Sequence, residues 1–161
     1  MELNDISGDI IDAAMAIHRK FGPGLLESVY ELVLVAELKR RGHKVENQVP
    51  VSFEYEGMKI ENAFRIDVLV DDQVVVELKS TEAYAPVHAK QLKTYLVLAN
   101  RRLGLLLNFG MEYMKGGIKR ILNGEVPDIK TSPGATEERR LCAPVIPNPQ
   151  SLRVSVTPCE N

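Results

Sequence analysis

The hydrophobic residues change their spacing along the chain, and the order of these spacings constrains the fold more than any other feature. Apolar residues recur at helical spacing from Ile6 to Phe21 and again from Leu26 to Leu34. From Val45 to Tyr55 they alternate with polar residues, which is typical of a strand with one buried face. The chain therefore predicts a fold that combines helices with a sheet.

These spacings and the residues that interrupt them predict the element order α-α-β-β-β-α-β-β. Gly22-Pro23-Gly24 separates the first two helices, and Pro86 suits the first turn of the third. The predicted helices are Asp5–Lys20, Leu26 to just before Gly42, and Pro86–Ala99, and the predicted strands are Val45–Tyr55, Met58–Val70, Val74–Lys79, Leu103–Phe109 and Ile118–Leu122. The helix between two strands predicts an α/β fold with a mixed central sheet flanked by helices.

Two of the strands carry a mark of their position in the sheet. Pro50 cannot donate a hydrogen bond to a neighbouring strand, which predicts that the first strand lies at an edge. Val74-Val75-Val76 is apolar on both faces, which predicts that the third strand is central.

Composition places the chain among globular proteins. Of its 161 residues, 45% are hydrophobic and 26% are charged, which excludes a disordered or fibrous chain and predicts one domain. The longest apolar stretch, Leu103–Leu107, is far shorter than the roughly 20 residues that a bilayer needs, and the acidic Met1–Asp12 does not resemble a secretory signal. Cys142 and Cys159 make neither a disulfide framework nor a zinc site. We therefore expect a cytoplasmic protein without a membrane partner.

The composition changes near Thr131. Five of the nine prolines lie beyond this residue, and the apolar residues there keep no sustained period. We predict a folded domain over residues 1–131 and a Pro-rich, poorly ordered tail over residues 132–161. Within the tail, Leu152–Val156 alternates and fits an added edge strand.

The third strand carries the residues with the clearest chemistry. Glu77 and Lys79 are two residues apart, so they share a face of the strand. If the hairpin at residues 71–73 pairs about residue 72, Asp67 lies opposite Glu77, and cross-strand neighbours are about 5 Å apart at Cβ. Two carboxylates at that distance repel each other unless a cation lies between them.

A magnesium ion between these carboxylates would give the chain a hydrolytic site. Mg²⁺ takes oxygen ligands and keeps several waters, so Asp67, Glu77 and the backbone carbonyl of Leu78 would suit it. Lys79 would hold an attacking water or stabilise phosphate charge, which completes a minimal site for metal-assisted phosphodiester hydrolysis. The alternative is a solvated strand face with a weak ion pair between Glu77 and Lys79.

Five further polar residues are candidates for the site, but each also has an ordinary structural interpretation. Glu27 begins helix two, where the helix dipole stabilises a carboxylate, and Tyr30 one turn later fits packing. His88 and Gln91 share a face at the start of helix three and fit surface hydrogen bonds. Asn108 interrupts an apolar strand, which indicates a buried amide with partners.

Several motifs resemble one known family. The sequence Gly24-Leu25-Leu26-Glu27-Ser28-Val29-Tyr30 resembles the signature of the GxxExxY proteins, a bacterial family that looks like a branch of the PD-(D/E)xK nuclease superfamily. The resemblance covers about residues 5–122 and continues through the motifs Phe64–Val70, Val76–Lys79, His88–Leu96, Gly104–Gly110 and Lys119–Ile121. It implies a restriction-endonuclease-like αβββαβ core with an extra N-terminal helix.

The resemblance also implies roles for residues of the second and third strands. Asp67 and Glu77 stand at the metal-binding positions of the superfamily, and Lys79 stands at the position of its catalytic lysine. Ile66 stands where the superfamily signature has proline, which is the weakest element of that signature.

Helices two and three carry the remaining implied site residues. Glu27 matches a helix glutamate that many branches use as a further metal ligand through water. Gln91 matches a polar residue that supports the site or touches phosphate. Gly24 and Tyr30 complete the GxxExxY motif, and His88 belongs to the pattern without an assigned role.

The predicted function is that of a nuclease that depends on Mg²⁺ or Mn²⁺ and acts on DNA rather than RNA. One alternative is a module without catalytic activity that has kept the site geometry and serves to bind nucleic acid or to regulate another protein's activity. Another is an accessory nuclease that works only within a larger complex. Related nucleases often cut both strands as homodimers, so a second copy of the chain is a candidate partner.

The formal net charge of −2 hides a division of charge along the chain. Residues 90–120 carry seven Lys and Arg against one acidic residue, whereas residues 1–89 are acidic overall. The basic stretch predicts phosphate contacts beside the site, and its alternative interpretation is a solvated helix face. The predicted nucleic-acid-binding residues are His88, Lys90, Lys93, Arg101, Arg102, Lys119 and Arg120.

Overall fold

The structure, a computed structural model, describes residues 2–124. Its helices are α1 Leu3–Phe21, α2 Glu27–Arg40 and α3 Pro86–Leu98, and its strands are β1 Val45–Tyr55, β2 Met58–Val70, β3 Val74–Lys79, β4 Leu103–Asn108 and β5 Ile118–Leu122. A short 3-10 helix, Met114–Gly117, precedes β5 and was not predicted. The predicted tail, with its alternating segment and both cysteines, lies outside the described residues. Among the described helices, none is long and apolar enough to cross a membrane.

The strands form one mixed five-stranded sheet in the order β1-β2-β3-β4-β5. Neighbouring strands are antiparallel except β3 and β4, which are parallel and are connected through α3. The predicted α/β fold with a mixed sheet is therefore confirmed. Pro50 lies on the edge strand β1, and the fully buried Val74-Val75-Val76 run lies on the central strand β3, as predicted.

Helices cover both faces of the sheet. On one face, Val76 and Leu78 of β3 pack into a core with α1 and α2, which we call the first core. On the other face, Val75 packs with Leu92 and Leu96 of α3 in the second core. Successive side chains of β3 enter the two cores in turn because a strand has a two-residue period. The end of β3 therefore lies between α1 and α2 on one face and α3 on the other.

The apolar face of β1 is divided between these two cores. Val45 belongs to the first core, whereas Val49 and Val51 pack against the second. A regular strand would keep these three side chains on one face, as the sequence pattern predicted. Gln48 lies between them with a φ of 53°, in the left-handed region that non-glycine residues rarely adopt. The strand therefore changes face at Gln48.

The strands β2 and β3 pair about residue 72, as predicted. Their backbone pairing runs from Val70 and Val74 to Val68 and Val76. Beyond that point β2 continues with β1 alone, as a two-stranded arm that ends at the turn between them. The separation of β2 from β3 opens the sheet at Asp67.

Candidate active site

Asp67 lies where β2 leaves β3. Its Oδ2 accepts a hydrogen bond of 2.8 Å from the backbone N–H of Leu78. The side chain of Asp67 thus satisfies a donor that regular strand pairing would have given to a backbone carbonyl. This bond holds the Asp67 carboxylate against the last residues of β3.

Glu77 and Lys79 form a largely buried ion pair at the end of β3. Their side chains are 7% and 16% exposed, and Lys79 Nζ lies 2.8 Å from Glu77 Oε1. Lys79 Nζ also donates to the carbonyl of Leu78 at 2.8 Å and lies 3.8 Å from Glu27 Oε1. This burial differs from the solvated ion pair of the alternative interpretation.

The electrostatics of the site follow from three carboxylates around one ammonium group. Burial and the neighbouring charge of Glu77 raise the pKa of Asp67 to about 6, and Glu27 adds to this effect. Burial alone would lower the pKa of Lys79, but its hydrogen bond to Glu77 and the nearby carboxylates raise it. The site therefore carries an excess of negative charge that a cation would neutralise.

The residues present fit a divalent cation. Glu77 Oε2 is buried and has no hydrogen-bond partner among residues 2–124, which is costly for a carboxylate oxygen. Within the same residues, no three His, Cys, Asp or Glu side chains are grouped closely enough to hold a metal ion by themselves. Asp67, Glu77 and the Leu78 carbonyl could hold Mg²⁺ together with water, because Mg²⁺ usually keeps several waters.

The loop before α2 places Glu27 beside this site. Tyr30 is fully buried and stacks on Phe109 with ring centroids 4.4 Å apart, which confirms its packing role. Its hydroxyl donates to the Gly22 carbonyl and accepts from the Leu25 N–H. The Leu25 carbonyl accepts a 2.8 Å hydrogen bond from Ser80, the residue after Lys79. The loop that contains Gly24 is thus fixed to the end of β3.

Asn108 fixes the segment that follows Lys79. It is fully buried at the end of β4, and its Oδ1 accepts from the N–H groups of Thr81 and Gly110 at 3.0 and 3.1 Å. The prediction of a buried amide with partners is confirmed. Only glycine fits at position 110, because the Cβ of any other residue would overlap the backbone of Thr81.

A family model described as the PD-(D/E)XK nuclease superfamily matches residues 4–121, well over half of the chain. The chain belongs to this superfamily. The matched range contains Asp67, the Glu77-Leu78-Lys79 sequence and Glu27, and the superfamily typically uses divalent metals. Comparisons with curated proteins and with solved structures give no match.

The remaining predicted residues of this PD-(D/E)XK domain include Gln91 and His88 on α3. Gln91 is exposed, and its Nε2 donates to the Tyr95 hydroxyl at 2.6 Å. Tyr95 in turn stacks on Phe64 of the β1–β2 arm, with ring centroids 4.0 Å apart. The structure thus joins Gln91 to the arm and gives it no hydrogen bond to the three carboxylates. His88 Nδ1 is buried without a hydrogen-bond partner in the described part of the chain.

The basic stretch of the superfamily domain does not form one patch. Lys93 Nζ donates to the Leu122 carbonyl, and Lys119 lies 4.1 Å over the ring of Tyr84. Arg120 donates to side chains of α1, and Arg102 also has an interaction partner. Lys90 is exposed on α3. Most of these cations therefore also stabilise the fold.

Arg101 and Arg102 lie at the other end of the sheet from the site. They immediately precede Leu103, which pairs with the first residue of β3, whereas Lys79 is the last residue of that strand. Five residues of strand span about 17 Å at roughly 3.3 Å each. The structure does not place these two arginines beside the site, and their contact with nucleic acid stays a prediction.

One cation near the site was missed by the sequence analysis. Arg65 lies two residues before Asp67 on β2 and is exposed, and its side chain makes no hydrogen bond or ion pair within residues 2–124. Phe64 stacks on α3, so its neighbour Arg65 projects from the opposite face, on which α2 lies. The sequence could have indicated this residue, because an arginine two positions before the predicted metal-binding aspartate lies near it on the same strand.

Proposed function

We propose that the chain is a Mg²⁺- or Mn²⁺-dependent nuclease of the GxxExxY branch that hydrolyses phosphodiester bonds of DNA rather than RNA. The observation that carries this proposal is the buried Glu77 carboxylate, one oxygen of which has no partner in the part of the chain that the structure describes, beside Asp67 and the Lys79 ammonium group. A buried charge of this kind needs a partner, and a divalent cation supplies one.

The residues of the site divide into metal ligands and a hydrogen-bond donor. Asp67, Glu77 and the Leu78 carbonyl would hold the metal, and Glu27 would assist through water. When bound, the metal supplies Lewis-acid stabilisation and lowers the pKa of a bound water. Lys79 Nζ donates to Glu77 and to the Leu78 carbonyl, and from this fixed position it would orient an attacking water or stabilise phosphate charge.

Phosphate contacts away from the reacting bond would come from two sides of the site. On the arm, the exposed guanidinium of Arg65 is suited to a phosphate oxygen. On α3, we assign the same role to Lys90, with His88 and Gln91 near the start of that helix. A homodimer would bring two such sites to the two strands of a duplex.

Cleavage of a panel of nucleic acids tests the proposal. Single-stranded, duplex, flapped and branched DNA and RNA are incubated with the full chain in Mg²⁺, Mn²⁺ or EDTA. We expect DNA to be nicked with either metal and to remain intact in EDTA, because the carboxylates act only through the metal. Raised salt should weaken substrate binding, since phosphate contacts are screened.

A Glu77→Ala protein purified in the same way is the control for contaminating nucleases. Cleavage that continues in EDTA contradicts the proposal. Binding of DNA without cleavage of any substrate supports the catalytically quiet module instead.

A further inference from the structure

A buried carboxylate lies one helical turn from Glu27 and has no part in the proposed metal site. Glu31 on α2 is 9% exposed. Its Oε2 accepts a 2.8 Å hydrogen bond from Gln48 Nε2, and its Oε1 accepts a weaker one of 3.3 Å from Asn47. A buried carboxylate needs such donors, so this contact ties α2 firmly to β1.

The donor Gln48 lies at the point where β1 changes face. Its φ of 53° is strained for a residue with a side chain, and such strain persists only where the surroundings enforce it. Asn47 pairs with Val68, which places Gln48 opposite Asp67 one step along the two strands. The strained residue therefore joins α2 to the strand position that faces Asp67.

Three contacts then connect the elements that carry the proposed metal ligands. Ser80 ties β3 to the loop before α2, and the Leu78 N–H ties β3 to Asp67. The Glu31–Gln48 contact ties α2 to the β1–β2 pair, so that each of the three elements is joined to the other two. Leu34 of α2 also packs with Val45 and Val68 in the first core, so the Glu31–Gln48 contact adds a directional, polar restraint to this packing beside Glu27 and Asp67.

We infer that Glu31 and Gln48 are positioning residues that set the distance between Glu27 and Asp67 and thereby the metal affinity of the site. The inference rests on the proposed function, because it assumes that these two carboxylates act on one cation. Residues behind metal ligands typically change affinity by about 10- to 100-fold when they are replaced.

The test compares Gln48→Gly and Gln48→Ala with the wild-type chain. Glycine adopts a positive φ without strain, so Gln48→Gly removes the hydrogen bond while it relieves the backbone. Asn62→Gly is the matched control, because Asn62 is also a strand residue with a positive φ of 50°, and its backbone N–H donates to Ser52 Oγ, a bond that glycine keeps. Calorimetric titration with Mn²⁺ gives the affinity, and thermal unfolding without metal gives the stability.

We expect both Gln48 variants to bind Mn²⁺ about 10-fold more weakly than the wild type and Asn62→Gly to bind it normally. The thermal midpoint of Gln48→Gly should fall less than that of Gln48→Ala, because relief of the strained backbone offsets part of the cost of the lost donor to Glu31. An equal loss of affinity in two variants of different stability separates affinity from stability. Amide hydrogen exchange in the first turn of α2 should become faster in both Gln48 variants.

Unchanged Mn²⁺ affinity in both Gln48 variants overturns the inference and leaves the proposed function standing. A loss of affinity that only follows a loss of thermal stability also overturns it, since that outcome reflects general unfolding. If the wild type itself binds no Mn²⁺, the proposed function is contradicted, and so is the inferred effect of Gln48 on metal affinity. Hydrogen exchange in α2 then reports separately whether Gln48 holds the helix.

Discussion

Glu77→Ala and Lys79→Ala are each expected to reduce Mg²⁺-dependent DNA cleavage by about 100-fold or more. In the proposed site Glu77 would supply a metal ligand and Lys79 a charged donor, and the Lys79 ammonium group is fixed by two hydrogen bonds of 2.8 Å. Loss of one such donor in a site shielded from water typically costs about 100- to 1,000-fold in rate. The measurement is the initial rate of nicking with saturating metal.

Two exposed residues provide matched controls for these changes. Glu46→Ala removes a glutamate on the edge strand β1, and Lys39→Ala removes a lysine about 18 Å along α2 from Glu27 at 1.5 Å per residue. Both control proteins should cleave at the wild-type rate. Cleavage that survives both Glu77→Ala and Lys79→Ala would place the chemistry elsewhere.

Asp67→Asn is expected to raise the stability of the metal-free chain while it abolishes cleavage. The pKa of Asp67 rises from 3.8 to about 6 because of burial and the charge of Glu77. The folded chain therefore holds this proton more tightly than the unfolded chain, so stability falls as the pH rises from about 4 to 6. Asparagine carries no charge and can still accept the hydrogen bond from Leu78.

The expected gain at pH 7 is about 1 kcal/mol, because partial exposure of Asp67 reduces the effect of its raised pKa. This corresponds to a rise of about 3–5 °C in the thermal midpoint measured in EDTA. The gain should disappear at pH 4, where the wild-type carboxyl is largely protonated. A metal-free Asp67→Asn protein that is less stable than the wild type at pH 7 contradicts the electrostatic description of the site.

The sequence predicted the elements and the proximity of Asp67 to Glu77, because both depend on local spacing. The hairpin at residues 71–73 fixed the register of β2 against β3, and although their pairing ends at Val68 and Val76, Asp67 lies close enough to Glu77 for the Glu77 charge to raise its pKa. The apolar run of β3 correctly identified the central strand. Period-two alternation and turn position carry this information within a few residues.

Apart from Arg65, the features that were missed depend on contacts between distant parts of the chain. The change of face at Gln48 leaves no mark in the hydrophobic pattern, because Val45, Val49 and Val51 still alternate with polar residues. The burial of Glu31 depends on a donor that lies 17 residues away. The position of Arg101 follows from the parallel pairing of β3 with β4, which a charge count along the chain does not contain.

The most direct test of the metal site is calorimetric titration of the wild-type chain and of Asp67→Asn with Mn²⁺. We expect the wild type to bind about one equivalent of Mn²⁺, since Asp67, Glu77 and the Leu78 carbonyl would form one set of oxygen ligands in the proposed site. The Asp67→Asn chain, although at least as stable, should show little or no uptake. No uptake by the wild type, or equal uptake by both proteins, would contradict the assignment of these residues as a metal site.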